Sequence, residues 1–303
     1  MIIHNGYDTI SFRNPVVTMG IFDGVHCGHV ATLNSLIDKA KKLNGESVVI
    51  TFTYPQLQND KHNFCLTTPD EKREILCKTG IDHLIEIELD EGFKKMRAAD
   101  FIKDILFNKI GAKHIMTGYD QSFGRGGEGN FETLQQHSTT FGFTVEQLPE
   151  FRPEGNKVSS STIRQALLAG DLDSANRLLG YNYSVTGTVI EGKKIGRQLG
   201  FPTANILPNK NKLIPANGVY AVEVSTKFGC FLGMLSIGVN PTINPANREI
   251  SIEINIINFD RDIYNENISV IFNKRLRDEK QFENIEQLAV QIKLDREETL
   301  RSI

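Results

Sequence analysis

Along the first half of the chain, apolar residues switch between short unbroken runs and a spacing of three and four. Val16-Val17-Thr18-Met19 is one such run, and beyond it Leu33, Leu36, Ile37, Ala40 and Leu43 share one face of a helix. Asn44-Gly45 stops that helix, and Ser47-Val-Val-Ile-Thr-Phe52 reads as a second buried strand. The same alternation predicts a helix over about 69–79 ended by Gly80, a strand near 83–89, and a helix over about 99–110 ended by Gly111. Strands at 114–117 and 145–148 complete the series. Repeated βα units predict a parallel sheet with helices on both faces and a ligand site at the carboxyl ends of its strands.

After Leu179-Gly180 the pattern changes. Strand-like segments over 183–190, 219–225, 230–237, 249–258 and 269–276 follow one another with turn residues between them. One closing helix places Ile285, Leu288, Ala289 and Ile292 on a single face. A small, mainly antiparallel barrel with a terminal helix is expected. The boundary is placed near residue 181, giving domains 1–180 and 181–303. No internal repeat or low-complexity tract interrupts either half.

Composition narrows the function classes. A formal charge of −3 over 303 residues gives no electrostatic case for nucleic acid or a membrane surface. No apolar run approaches the roughly 18 residues of a membrane helix. The opening Met-Ile-Ile-His-Asn-Gly-Tyr-Asp lacks a signal-peptide pattern, and Cys27, Cys65, Cys77 and Cys230 are scattered. A cytoplasmic protein with reduced thiols is expected.

Chemistry concentrates in a few segments. Gly20-Ile-Phe22-Asp23-Gly24-Val-His26-Cys-Gly28-His29 joins the first strand to the first helix. Its glycines let the backbone approach an anion, and the helix aims its free N–H groups and positive dipole end there. The histidines can donate ring N–H bonds to phosphate oxygens, or add charge if protonated; ordinary loop histidines are the alternative. Gly118-Tyr-Asp120-Gln-Ser-Phe-Gly124-Arg125 follows the 114–117 strand, so Asp120 and Arg125 can reach substrate there; a glycine-rich surface loop is the plain alternative. Ser159-Ser160-Ser161-Thr-Ile-Arg164 opens a helix expected to run to Leu179. Serines there cap a helix, and the same geometry with Arg164 suits a triphosphate.

In the second half, Gly196-Arg197-Gln-Leu-Gly200-Phe-Pro202-Thr203-Ala204-Asn205 is dense in glycine, base and small polar groups. An extended segment would place the oxygens of Thr203 and Asn205 on one face, suited to Mg²⁺ that keeps waters and phosphate oxygens. Glu253 alternates with isoleucines 250, 252, 254 and 256. That alternation fits either a solvated polar face or a general base at a barrel mouth.

Together these segments resemble the bacterial bifunctional riboflavin kinase/FAD synthetases, in order and along nearly the whole chain. G-x-F-D-G-x-H-x-G-H stands at Gly20 to His29, the glycine-rich G-x-D loop at Gly118 to Gly124, and S-S-x-x-I-R at Ser160 to Arg164. G-R-x-L-G-x-P-T-A-N is intact from Gly196 to Asn205, N-G-V-Y stands at Asn217, N-P-T runs from Asn240 to Thr242, and Arg277-Asp-Glu279 with Phe282 matches the C-terminal region. The chain departs from the family pattern at Thr51-Phe-Thr-Tyr54-Pro55, Gln121, Asn255, Asn258 and Asn265.

The resemblance implies an N-terminal nucleotidyltransferase domain related to the Rossmann folds and a C-terminal riboflavin kinase barrel. It implies ATP as co-substrate of both reactions, with Mg²⁺ held through Thr203 and Asn205 and Glu253 as the kinase base. His26, His29, Ser160, Ser161 and Arg164, with Gly20, Phe22, Asp23, Gly24, Gly28 and Asp120, are expected around the phosphates of the first ATP. Gly196, Arg197, Gly200 and Pro202 are expected around the second, and Asn240, Thr242 and Arg277 on the flavin. The partners implied are small molecules, riboflavin, FMN, FAD and ATP; the oligomeric state stays open. A different nucleotidyltransferase shares the H-x-G-H core but leaves Gly196 to Asn205 without a purpose. A kinase whose N-terminal module is weak or inactive and binds flavin or nucleotide as a regulator is the other alternative.

Overall fold

The computed structural model describes residues 1–8, 10–53, 64–155, 157–192, 200–239 and 250–302. Its contacts divide the chain into two compact units, Met1–Asn63 with Thr67–Ser159, and Phe64–Leu66 with Ser160–Ile303. No helix among the described residues is long and apolar enough to cross a membrane.

The first unit is built on a six-stranded, all-parallel sheet: β1 (Ile2–Asn5), β2 (Val16–Gly20), β3 (Ser47–Thr53), β4 (His83–Glu88), β5 (His114–Thr117) and β6 (Thr144–Gln147), in the order β1-β4-β3-β2-β5-β6. The period-two rule is visible in its core. Val17, Val48, Ile85 and Ile115 join one apolar cluster, while their neighbours Val16, Val49, Leu84 and Met116 join another. α1 (Cys27–Lys42) and α2 (Pro69–Cys77) supply Leu33, Leu36, Ala40 and Leu76 to the second cluster. The first receives Ala98 of α4 (Ala98–Asp100), which follows the single turn α3 (Glu91–Lys94), and Leu134 of α5 (Phe131–Phe141). The sheet is thus covered on both faces, as the βα pattern requires. From β2 the chain builds outward through β3 and β4, and from β5 it builds the other way. The order reverses between β2 and β5, where open α/β sheets place their ligands.

Three features differ from the sequence reading. β1 pairs with β4 although its two isoleucines are exposed, so no buried run announced it. α5 begins with a reciprocal cap between Asn130 and Thr133 and was not foreseen. The helix expected over 99–110 leaves α geometry after Asp100 and continues as a π-helix, Phe101–Lys109, closed by Ile110 N–H to Ile105 C=O at 2.9 Å. The wider turn still buries Phe101, Ile102, Ile105 and Leu106.

The second unit is a closed antiparallel barrel. β7 (Ser184–Ile190), β8 (Ala204–Pro208), β9 (Gly218–Thr226), β10 (Gly229–Val239), β11 (Ile250–Ile256) and β12 (Asn267–Arg277) close in the order β10-β11-β8-β7-β12-β9. Val185, Val189, Ile206, Val222, Val224, Leu235, Ile252, Ile254 and Phe272 fill its interior. The helix expected to run unbroken to Leu179 is two helices, α6 (Ser160–Ala169) and α7 (Leu172–Leu179). Gly170 takes φ 77°, and Asp171 caps the new helix by accepting from Ser174 N–H. Both helices pack with the barrel, so the division by contacts falls before Ser160, earlier than the change of sequence pattern at 181. α8 (Ile285–Ser302) ends the chain; it leaves Ile285 exposed and buries Asp295 and Thr299.

Candidate active sites

In the first unit, the turn between β2 and α1 carries unusual backbone. Phe22 and Val25 hold φ of 51° and 35°, values that non-glycine residues seldom adopt, and each such residue costs of order 1–3 kcal/mol. Surrounding contacts hold the turn in place. Both side chains are buried, Thr67 accepts from Gly24 N–H at 3.0 Å, and Asp23 Oδ1 accepts from Thr67 N–H at 3.1 Å. Asp23 therefore shapes the turn from within.

His26 is the N-cap of α1, and its Nδ1 accepts from His29 N–H at 3.3 Å. The two imidazoles stack with centroids 3.6 Å apart and planes inclined by 13°. A Cβ at Gly28 would press on the His26 ring at 3.3 Å, and one at Gly20 would press on Phe22 at 3.1 Å. His26 is only 6 % exposed, and burial lowers its pKa from 6.5 to about 4, against the pull of Asp23. His29 is pushed well below 6.5 by burial first, then by His26 and Lys72. Both rings are neutral at pH 7. Of the two roles the sequence allowed, the site offers donors rather than charge. Because His26 Nδ1 is an acceptor, its proton resides on Nε2. His29 Nδ1 is enclosed and has no hydrogen-bond partner among the described residues.

On the other side of the sheet reversal, Gln121 Nε2 donates to Met19 C=O at 2.6 Å, while its Oε1 accepts from Gly118 N–H at 3.0 Å. One amide thus ties the carboxyl ends of β2 and β5. Asp120 and Arg125 are exposed beside it. Gly124 of this loop is required by packing, since a Cβ there would stand 2.7 Å from Ala98 N.

The remaining residues lie in the second unit. Ser160, Ser161 and Arg164 open α6; Arg164 Nε donates to Phe64 C=O at 2.9 Å, while Ile163 and Leu167 on the inner face are buried. Elsewhere β8 and β11 pair Asn205 with Glu253, and Thr203 Oγ1 donates to Glu253 Oε2 at 3.4 Å. Ser251 Oγ donates to Glu253 Oε1 at 3.3 Å. Ile252, Ile254 and Ile256 fill the barrel, so the row Ser251, Glu253 and Asn255 faces outward, away from the packed interior.

Asn255 Nδ2 donates to Pro202 C=O at 2.7 Å, fixing the segment that carries Thr203, and Gly200 turns at φ 78° just before it. A Cβ on Gly192 would stand 1.9 Å from the Asn205 amide. Next to this cluster lies a cavity of about 390 Å³, with Val189, Ala204, Ile254, Ile256 and Phe259 on its apolar wall and Thr203, Asp260, Arg261 and Asp262 among its polar lining. The Thr203 hydroxyl and the Asn205 amide oxygen are hard-oxygen donors that fit Mg²⁺ completing its shell with phosphate and water, beside the Glu253 carboxylate. Gly196, Arg197, Asn240 and Thr242 lie outside the described residues. Arg277, expected on the flavin, grips Asp295 of α8 with Nε at 2.9 Å and a terminal nitrogen at 2.7 Å.

Sequence reading passed over the groups that hold these sites: Thr67, Lys72, Gln121 and Asn255. The last two stood in view as departures from the family pattern, without an assigned contact. The 67–72 segment gave only a helix-start signal, Thr68-Pro-Asp-Glu71, now seen as a capping box.

A family model described as FAD synthetase matches residues 9–162, and one described as riboflavin kinase matches residues 179–303. Proteins described as bifunctional riboflavin kinase/FMN adenylyltransferase are similar along nearly their whole length. The protein of Escherichia coli K12 is 35 % identical, covering 92 % of this chain and 90 % of its own. That of Listeria monocytogenes is 36 % identical, covering 94 % and 91 %. A solved structure described as a macrolide-efflux protein from Streptococcus pneumoniae superposes with a TM-score of 0.88 at 30 % identity, covering 99 % of both chains.

Proposed function

The chain belongs to the bifunctional riboflavin kinase/FMN adenylyltransferase family, and on that premise we propose that it converts riboflavin to FMN and FMN to FAD with ATP. What carries the reading is that each matched family region falls on a separate group of side chains suited to its reaction. The histidine turn at the sheet reversal serves the adenylyl step, and the Thr203, Asn205 and Glu253 cluster serves the kinase.

In the kinase, Glu253 accepts the proton of riboflavin's ribityl 5′-hydroxyl as that oxygen attacks the γ-phosphorus of ATP, and ADP leaves. Thr203 and Asn205 would hold Mg²⁺, which when bound supplies positive charge against the phosphates. Asn255 keeps Pro202 and so Thr203 in place. The apolar wall of the neighbouring cavity suits a planar ring system; by the family motifs they belong to, Gly196, Arg197, Gly200 and Pro202 are assigned to ATP and Asn240 and Thr242 to the flavin. Arg277 joins β12 to α8 through Asp295.

In the first unit, a phosphate oxygen of FMN attacks the α-phosphorus of ATP; the new P–O bond forms FAD as the bond to pyrophosphate breaks. The nucleophile is already an anion and needs no protein base. His26 donates from Nε2 to a non-bridging oxygen, and the N-terminal end of α1 adds its positive dipole. His29 and Asp120 complete the phosphate contacts that this unit supplies. The four scattered cysteines, with no C-x-x-C pair, suit a reducing compartment, and we place the protein in the cytoplasm.

Glu253→Gln tests the division of labour. FMN formation from riboflavin should fall at least about 10²-fold, while FAD formation from supplied FMN stays at the parental rate. Unchanged FMN formation would remove Glu253 from the mechanism. If supplied FMN yields no FAD even with the parent chain, the N-terminal module is instead a binding domain attached to a kinase.

A further inference from the structure

We propose that Lys72 is a positioning residue for adenylyl transfer: its ammonium fixes the Ile21 carbonyl and thereby the strained turn that sets the His29 ring. This rests on the adenylyltransferase reading above and assigns a residue that reading leaves unused. Lys72 lies on α2 and is 6 % exposed, and an ammonium so enclosed must be met by acceptors. Its Nζ donates to Ile21 C=O at 3.0 Å, to Thr51 Oγ1 at 3.0 Å and to Phe52 C=O at 3.4 Å. Thr51 Oγ1 itself donates to Ile21 C=O at 3.1 Å, so two side chains converge on one carbonyl at the carboxyl ends of β2 and β3.

The next residue is where that hold matters. Phe22 follows Ile21 at φ 51°, and its ring meets the His29 ring at 5.1 Å with planes at 62°. A carbonyl free to rotate at Ile21 would let Phe22 relax, and His29 would lose one of the two rings against which it packs. The segment that supplies Lys72 also supplies Thr67 to Gly24 and Asp23, and the Thr68–Glu71 capping box anchors it. From Thr67 to Lys72 it forms one brace along the turn. Lys72 has a second effect through charge, since it adds to burial and His26 in keeping His29 neutral.

The experiment compares Lys72→Met, which keeps the apolar stem without charge or donors, with Thr51→Val, which removes the second donor. Three quantities are read: FAD formation from FMN across pH, FMN formation from riboflavin in the same preparations, and the titration of the His29 ring by NMR. Lys72→Met should lower kcat for FAD formation about 10²-fold, as misplacement of a reacting group by about 1 Å does. Riboflavin phosphorylation should stay within about twofold, and the acid limb of the FAD rate and the His29 titration should both move toward neutral pH. Thr51→Val should lose several-fold with the limb unmoved, because the charge remains.

A Lys72→Met protein with parental kcat and an unmoved His29 titration overturns the inference. So does equal loss of both activities with no shift of the limb, which marks a merely structural lysine. If Lys72→Met does not fold, Thr51→Val at the parental rate overturns it alone. If the parent makes no FAD, the adenylyltransferase reading fails by itself, and an unmoved His29 titration in Lys72→Met still decides against the brace.

Discussion

His26 links the chemistry of the histidine turn to the stability of the first unit. Burial takes its pKa from 6.5 to about 4, so between those values the unfolded chain binds a proton that the folded chain refuses. The sign follows: this contribution is complete above pH 6.5 and is lost as pH falls toward 4. At about 1.36 kcal/mol per pH unit, roughly 2 kcal/mol is gone by pH 5 and roughly 3 kcal/mol by pH 4. His26→Asn isolates the effect. Asparagine caps helices as well as any residue, so its side-chain oxygen can take over the bond from His29 N–H without titrating. Calorimetric melts of parent and variant should therefore diverge in their pH dependence. Between pH 7 and pH 5 the parent should lose about 2 kcal/mol more, roughly 4–8 °C in the Tm of a unit of this size. Parallel pH profiles would refute the reasoning, because they would mean that His26 titrates normally in the folded chain. The same variant lacks the Nε2 donor, so its FAD formation should fall by about 10²–10³.

Two further outcomes follow from contacts in the second unit. Asp295→Asn leaves the half-buried Arg277 guanidinium without its carboxylate, with only the Asp278 carbonyl among the described residues as a charge-stabilising partner, and chemical denaturation should show a loss of about 2–3 kcal/mol; less than about 1 kcal/mol would mean the pair is solvated. Gly192→Ala drives a methyl into the Asn205 amide, so the Mg²⁺ concentration for half-maximal kinase activity should rise about tenfold while stability changes little; an unchanged Mg²⁺ requirement would take Asn205 out of the metal site.

Much of this architecture was legible in the order of residues. Unbroken apolar runs such as Val16 to Met19 marked strands buried on both faces, and the alternation at Ile252, Glu253 and Ile254 marked a strand with one wet side. Glycines at 80, 111 and 180 marked ends of elements correctly because each holds positive φ. Several of the misses share a cause, since they depend on a partner far away in sequence. Ile2 and Ile3 are exposed, and β1 exists through its backbone ladder to β4. Gly170 breaks a helical pattern where a Cβ would stand 2.9 Å from Arg275 Nε, over a hundred residues on. On α8 the stripe Leu288, Ala289 and Ile292 is half-buried as its spacing suggested, but the same face also buries Asp295 against Arg277 of β12, which no apolar pattern announces. The site divides the same way. The histidines and the Thr203 to Glu253 set were visible as motifs, whereas Lys72, Gln121 and Asn255 act through backbone carbonyls that no spacing rule announces.

The measurement that tests the central claim most directly is an incubation of the unmodified chain with riboflavin, ATP and Mg²⁺, with flavins separated by chromatography over time. The account predicts that FMN rises first and FAD follows at its expense, with one ADP and one pyrophosphate released per FAD. Riboflavin that stays unconverted across pH and Mg²⁺ concentration would contradict it.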